Sequence, residues 1–302
     1  MSIVASDKSL KNLLEGQSKL SKSPLKRLNQ LRSKAVNQVN KLKFPTKNDE
    51  EWRFTDIAPL IKTSFQPLRV VPPLQNSDIE HFYLSETVTR LVFIDGIYAP
   101  HLSIQIAKKS KDSGVVVSSL ATASSKDLEA IETHLGHQTE IKDNIFAALN
   151  TAFLHEGALI IVPRNISVEV PIHLLFITTQ KETSSHPRCL LVAEPGSNVT
   201  IIEDYVTLQE ETYITNTVAE FVIADSAHVN HVRIQRDSKE AFHMANCSVS
   251  LAREGRYQSV SVAFGARISR YNLNVLLKGE GAECTADGLA LISNRQLADT
   301  HA

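Results

Sequence analysis

Four segments decide how the second half of this 302-residue chain folds: Gly196-Ser197-Asn198-Val199-Thr200-Ile201, Ser226-Ala227-His228-Val229-Asn230-His231, Gly255-Arg256-Tyr257-Gln258-Ser259-Val260 and Gly281-Ala282-Glu283-Cys284-Thr285. Each opens on a small or turn-forming residue and runs into a short strand, and the starts lie 30, 29 and 26 residues apart. A near-constant period with strands and no helices between them predicts stacked coils, because each unit buries its apolar side only against its neighbours. The longer period and signature dipeptides of propeller blades are absent. Cys247, Val249 and Leu251 alternate with Ser248, Ser250 and Ala252, and Val260, Val262 and Phe264 alternate with Ser259, Ser261 and Ala263. On a strand the two sets take opposite faces. The bulky set is expected to fill the lumen of a flattened β-helix and the small set to line the outside. A sandwich satisfies the alternation equally; the even spacing of the turns favours the solenoid.

Upstream, the chain reads differently. Leu10, Leu13 and Leu14, then Leu25, Leu28, Leu31, Val36 and Val39, recur at helical spacing, with Pro24 at the start of the second run. Asn48 to Asp56, carrying the only tryptophan, reads as a loop closing this arm, and Gln66 to Ser77, in a proline-rich stretch, as an extended connector. Leu91-Val92-Phe93-Ile94 followed by Asp95-Gly96 predicts a strand and turn, and Gly114-Val115-Val116-Val117 a second strand. Ile141, Ile145, Leu149, Ala152 and Phe153 share one face of a helix expected to end near Gly157. The chain thus divides into a helical region and connector over 1–90, a mixed strand and helix region over 91–157, and a solenoid core over 158–302.

Composition excludes several classes. At 42% hydrophobic and 22% charged, with 11 Gly and 11 Pro, the chain is neither collagen-like, disordered nor a disulfide scaffold. Its apolar runs are far shorter than the roughly 20 residues of a membrane span. The net charge of -1 hides a basic start: residues 1 to 47 hold eleven Lys or Arg against Asp7 and Glu15. Without aromatics for base stacking, this segment reads as solvated helix faces or a loose arm, so no nucleic acid or membrane partner is expected. Met1 to Ala5 does not read as the start of a secretory leader, so none is expected, although the Ser and Lys content is compatible with an organelle transit peptide. Cys189, Cys247 and Cys284, separated by 58 and 37 residues with no CxxC pair, suit a reducing cytoplasm.

Candidate chemistry is sparse. His228 and His231, three apart on a strand, face opposite sides and do not chelate one ion together. His134-Leu135-Gly136-His137 reads as a turn, His155 as a cation near a helix end, and His173 as a satisfied buried imidazole. Glu203-Asp204 and Glu210-Glu211 read as solvated edges. Cys247, on an apolar face, reads as a small buried hydrophobe. No GxSxG elbow, GK[ST] phosphate loop or HExxH helix occurs, so no enzyme is indicated.

Several phrases together resemble the SufB/SufD family of iron–sulfur cluster assembly proteins, and its SufD branch most closely. They are Glu51-Trp52-Arg53-Phe54-Thr55-Asp56, Ile145 to Phe153, Gly157 to Pro163, Pro171-Ile172-His173-Leu174, Ile202-Glu203-Asp204-Tyr205, and Tyr271-Asn272-Leu273-Asn274-Val275 leading to Gly281-Ala282-Glu283. The resemblance implies a mainly β protein, a right-handed parallel β-helix preceded by a helical region. It also implies a non-catalytic scaffold subunit that works with a SufB-like subunit and a SufC-like ATPase. No cofactor is expected on this chain alone, while an iron–sulfur cluster is expected in the full complex. Asp299 and His301 match the start of a DxHT phrase and, with Cys247, are the candidate metal-associated residues. Family members continue through further strands and C-terminal helices that dock the ATPase. The chain is therefore expected to lack that part, and its uncapped last coil to favour self-association, including a homodimer. The competing readings are a carbohydrate-active β-helix enzyme, against which the 6% aromatic content speaks, and a purely structural solenoid.

Overall fold

A computed structural model describes residues 14, 16–18, 20–67, 71–84, 89–104, 114–124 and 127–302. Sixteen strands occur among these residues. Outside the main coil lie β1 (Gln66–Pro67), β2 (Thr89–Ile94), β3 (Ile97–Tyr98) and β4 (Val116–Ser119). The coil itself runs through β5 (Ala158–Val162), β6 (Ile172–Thr178), β7 (Thr183–Ser185), β8 (Arg188–Ala193), β9 (Asn198–Thr207) and β10 (Ile214–Ile223). It continues through β11 (His228–Gln235), β12 (Phe242–Leu251), β13 (Arg256–Ala263), β14 (Ile268–Leu277), β15 (Glu283–Ala290) and β16 (Leu297–His301).

Successive long strands go to alternate sheets. One sheet has the order β16-β14-β12-β10-β8-β5-β4 and the other β15-β13-β11-β9-β6-β2-β3. Pairing along both is parallel, except for β2 with β3 and β4 with β5. The result is a parallel β-solenoid of about five turns. Paired positions such as Ala158 opposite Cys189 and Phe242 opposite Ile268 show one coil taking from 26 to 31 residues. That is the sequence period. The repeated turn residues stack at one corner: Asn165, Gly196, Ser226, Glu254 and Gly281 all hold positive φ, between 54° and 71°. Their backbone N–H groups step up the corner, Asn165 to Pro195 O, Gly196 to Asp225 O, Ser226 to Arg253 O and Glu254 to Glu280 O. A left-handed residue costs least as Gly, and Gly196 also passes close beneath the Asn165 side chain.

The lumen holds Leu91, Phe93, Leu174, Phe176, Leu191, Ile201, Phe221, Cys247, Val249 and Leu251 in one apolar cluster. Strand β12 thus places its bulky residues inward, as its alternation predicts. Strand β13 does the reverse. Tyr257, paired with lumen-facing Val229, points inward with Ser259 and Ala263, whereas Val260 and Phe264 are more than two-fifths exposed. Register with β11 overrides the apolar pattern here, since one strand's orientation is set by its neighbours across the whole ladder.

The helical region covers the outer face of the β10–β16 sheet. The helix Lys26–Val39 and the helix Ile145–Ala152 pack there with Phe44, Ile57 and Phe65 over Ile214, Phe242, Met244 and Ile268. All eight residues of Ile145–Ala152 are buried, because the helix lies between the sheet and the arm, and Asn144 caps it by accepting from Ala147 N at 3.0 Å. The stretch before it forms a separate helix, Leu128–His134, and a loop carrying Ile141. The connector is extended at β1 and then coils into the short helix Asn76–Ile79, so it is not extended throughout. The periodicity at Leu10 and Leu13 lies outside the described residues. No helix among the described residues is long and apolar enough to cross a membrane.

Candidate functional site

The interior of the solenoid is not uniformly apolar. Glu203 of β9, His231 of β11 and Tyr257 of β13 project into it from consecutive coils and are all buried. His231 Nε2 lies 3.2 Å from Glu203 Oε2, and its Nδ1 lies 2.8 Å from Tyr257 Oη. In the neutral ring this pairing makes Nε2 the donor and Nδ1 the acceptor of the Tyr257 hydroxyl. Cys247 Sγ lies 3.8 Å from the same hydroxyl. A hydrogen-bonded file therefore runs from carboxylate through imidazole and phenol to thiol. Burial works against the charged form of Glu203, yet the hydrogen bond from His231 and the charge of the nearby Arg233 hold its carboxyl below the usual range. Burial, with the Glu203 charge, pushes the Cys247 thiol up to about 12, so it is a protonated thiol at neutral pH.

A second pair lies beside it. Asp237 accepts from Tyr213 Oη at 2.8 Å, from Gln235 Nε2 at 2.7 Å and from His243 Nδ1 at 2.8 Å. Burial opposes ionisation of Asp237 too, but His243 together with the hydrogen bonds from Gln235 and Tyr213 more than offsets it. Glu203-Asp204 is thus no solvated edge. The two side chains leave the strand on opposite faces, as adjacent residues must. Asp204 goes outward and takes Arg236 in a two-pronged contact, Nε to Oδ1 at 3.1 Å and Nη2 to Oδ2 at 2.5 Å. His173 lies 3.6 Å from Asp204 Oδ2. It is wholly buried as expected, but neither ring nitrogen has a hydrogen-bond partner among the described residues, so it is not satisfied.

On the other outer face, Glu220 of β10 is fully buried and accepts from Arg188 Nη2 at 2.5 Å and Nε at 3.2 Å. It also accepts from the backbone N–H groups of Gly136, Gln138 and Thr139 at 2.9–3.1 Å. Leu135 to His137 is a turn after the helix that ends at His134, as its glycine indicates, and with Gln138 and Thr139 it presents amides to a carboxylate. Arg188 reaches on to Asn150 Oδ1 at 3.0 Å and ties the buried helix to the same point.

The Glu51 to Asp56 phrase meets the last strand. Arg270 Nη1 donates to Glu51 O at 2.8 Å and to Asp299, and Thr55 Oγ1 donates to the same Asp299 carboxylate. The Trp52 ring lies 4.1 Å from the Arg270 guanidinium, and a cavity of about 460 Å³ opens between Phe44, Trp52, Asn144, Arg270 and Asn272. His301, half exposed, lies 3.9 Å from Glu51 Oε1. Asp299 and His301 thus share the outer face of the β16 edge, while Cys247 is inside the lumen. Among the described residues no three His, Cys, Asp or Glu side chains are arranged to hold one metal ion.

The family models described as the SufBD protein N-terminal region and the SUF system FeS cluster assembly SufBD core domain match residues 4–174 and 176–302. The chain belongs to the SufBD family. This SufBD chain is 34% identical over 281 residues to an iron–sulfur cluster assembly SufBD family protein of Synechocystis, a match covering 89% of it and 61% of the relative. It is 24% identical over 269 residues to the iron–sulfur cluster assembly protein SufD of Escherichia coli, covering 88% and 60%. With the SufD of Bacillus subtilis it shares 25% over 210 residues, covering 68% and 47%. It spans about three fifths of the length of the first two relatives.

Reading single positions misses the lumen network, because Glu203, the His231 and Arg233 pair, and Tyr257 lie about one coil apart in sequence. The signal that finds it is the coil period. Glu203 and Arg233 stand opposite each other in register, 30 residues apart, and polar residues recurring at that interval inside an apolar repeat belong to one stacked cluster.

Proposed function

We propose that this SufBD chain is a SufD-like scaffold subunit of iron–sulfur cluster assembly, acting with a SufB-like subunit and a SufC-like ATPase, with the cluster as cargo rather than as its own resident cofactor. The observation that carries the reading is that two family models together span residues 4 to 302 and meet where β6 runs. The architecture supports it. A solenoid presents long, rigid sheet faces and edges, which suits it to holding other proteins in register. The pairs Arg188–Glu220, His231–Glu203 and Arg236–Asp204 join neighbouring coils, and Cys247 is a protonated, shielded thiol rather than an activated nucleophile. The sequence carries no phosphate loop, which leaves ATP hydrolysis to the partner.

Co-expression with SufB-like and SufC-like proteins of one organism tests this. Copurification of a stable complex with the SufB-like subunit through size exclusion is expected, and cluster reconstitution should show visible absorbance only with the partners present. Failure to associate with any SufB-like protein, or hydrolysis of a polysaccharide by the isolated chain, would overturn the assignment.

A further inference from the structure

We propose that the solenoid lumen contains a built water site at the level of Arg233, completed by Glu203 and His243. The inference concerns the chain's own interior and stands independently of the scaffold reading.

Arg233 enters the lumen from β11 and is 1% exposed. Its guanidinium lies between two phenol rings, 5.6 Å from the centre of Tyr205 and 4.7 Å from that of Tyr271. Nη1 donates to Ser261 Oγ at 3.2 Å, but Nε and Nη2 have no hydrogen-bond partner among the described residues. His243 approaches the same Tyr205 ring edge-on at 4.8 Å from the opposite sheet. With Nδ1 committed to Asp237, its Nε2 presents a lone pair, and that atom too is buried without a partner. Glu203 Oε1 is a further buried acceptor with no hydrogen-bond partner among the described residues, its other oxygen being taken by His231.

Buried polar atoms are nearly always paired, so convergence of charged donors and bare acceptors around one ring indicates a ligand. The reversed alternation of β13 makes room. At this level its inward residues are Ser259, Ser261 and Ala263, and β12 contributes Ala245, where bulky side chains fill the lumen elsewhere.

Charge selects the ligand class. A small anion would satisfy Arg233 but confront the ionised carboxylates of Glu203 and Asp237, and a cation would confront Arg233. Water both donates and accepts, and so completes Arg233, His243 and Glu203 without disturbing a nearly neutral set of charges.

A crystal structure of the whole chain at a resolution that orders solvent, paired with oxygen-17 relaxation dispersion of water in solution, tests the site. Ordered water within hydrogen-bonding distance of Arg233 Nη2 and His243 Nε2 is expected, together with a loss of at least one long-lived water in Arg233→Met. Direct Arg233–Glu203 pairing with no solvent density would overturn the proposal, as would an anomalous halide peak at Arg233 in bromide-soaked crystals. Should Arg233→Met fail to fold, the wild-type density and wild-type dispersion decide by themselves.

Discussion

The Trp52 indole and the Arg270 guanidinium lie 4.1 Å apart, which joins the N-terminal arm to β14. Arg270 is 2% exposed and also holds Asp299, which accepts in turn from Thr55. One guanidinium therefore secures the Glu51 to Asp56 phrase and the strand that follows it in the sheet.

Arg270→Ala is expected to cost about 3 kcal/mol, because it removes a cation–π contact and leaves the Asp299 carboxylate without its charge partner. Trp52 is the only tryptophan, so its fluorescence reports directly on the arm. A red-shifted emission at unchanged far-ultraviolet circular dichroism is the expected signature. An unshifted emission would show that the arm is held by its apolar contacts alone.

Glu220→Gln should destabilise the protein by about 3–5 kcal/mol, the range for breaking a buried pair from one side. The substitution strips Arg188 of its counter-charge and leaves the Gly136, Gln138 and Thr139 amides a weaker, partly repulsive acceptor. Urea unfolding checks it. A loss below about 1 kcal/mol would mean that solvent reaches the pair.

Acid should unfold the solenoid in two stages. His186, stacked on Phe153 at 4.4 Å, has its Nε2 buried without a hydrogen-bond partner among the described residues, and burial pushes its pKa down to about 3 from an ordinary 6.5. The unfolded chain then takes up this proton more readily than the folded one, so stability falls as pH drops below 6.5. Glu203 and Asp237 are held below their ordinary values of 4.5 and 3.8, and their contribution is present above those values and lost as pH falls further. Denaturant midpoints measured against pH should show a gradual decline and then a steeper one, with the first stage reduced in His186→Phe. A flat midpoint between pH 6.5 and 4.5 would contradict this.

Thiol reactivity should divide one against two. Cys284 is exposed, while Cys189 and Cys247 are each 1% exposed inside the lumen. An aromatic disulfide reagent is expected to titrate one thiol per native chain and three in denaturant, and Cys284→Ser should bring the native count to zero. Prompt labelling of Cys247 in that variant would show the lumen to be open to solutes.

The stacking itself was legible in the residues. The 30, 29 and 26-residue spacing reappears as coil length, and the residues opening each repeat sit at or next to the left-handed corners. The alternation of β12 was read correctly and that of β13 was reversed, because Val260, Val262 and Phe264 look like lumen residues until register with β11 turns them outward. The site was less legible. Glu203 and Asp204 look solvated as neighbours in sequence, yet both are buried and each finds a basic partner about one coil away. Asp299 and His301 do share a face, but nothing local indicates that Trp52, Thr55 and Glu51 lie across from them.

The amino-acid order alone determined that the second half coils, because turn residues and β-branched runs at one period are local preferences repeated until they stack. Only the tertiary structure decided which charges meet, because coil-to-coil register brings together residues some thirty positions apart, and packing of the arm brings together residues more than 200 positions apart. A buried charge depends on its partner, and that partner is fixed by the ladder rather than by its neighbours in sequence.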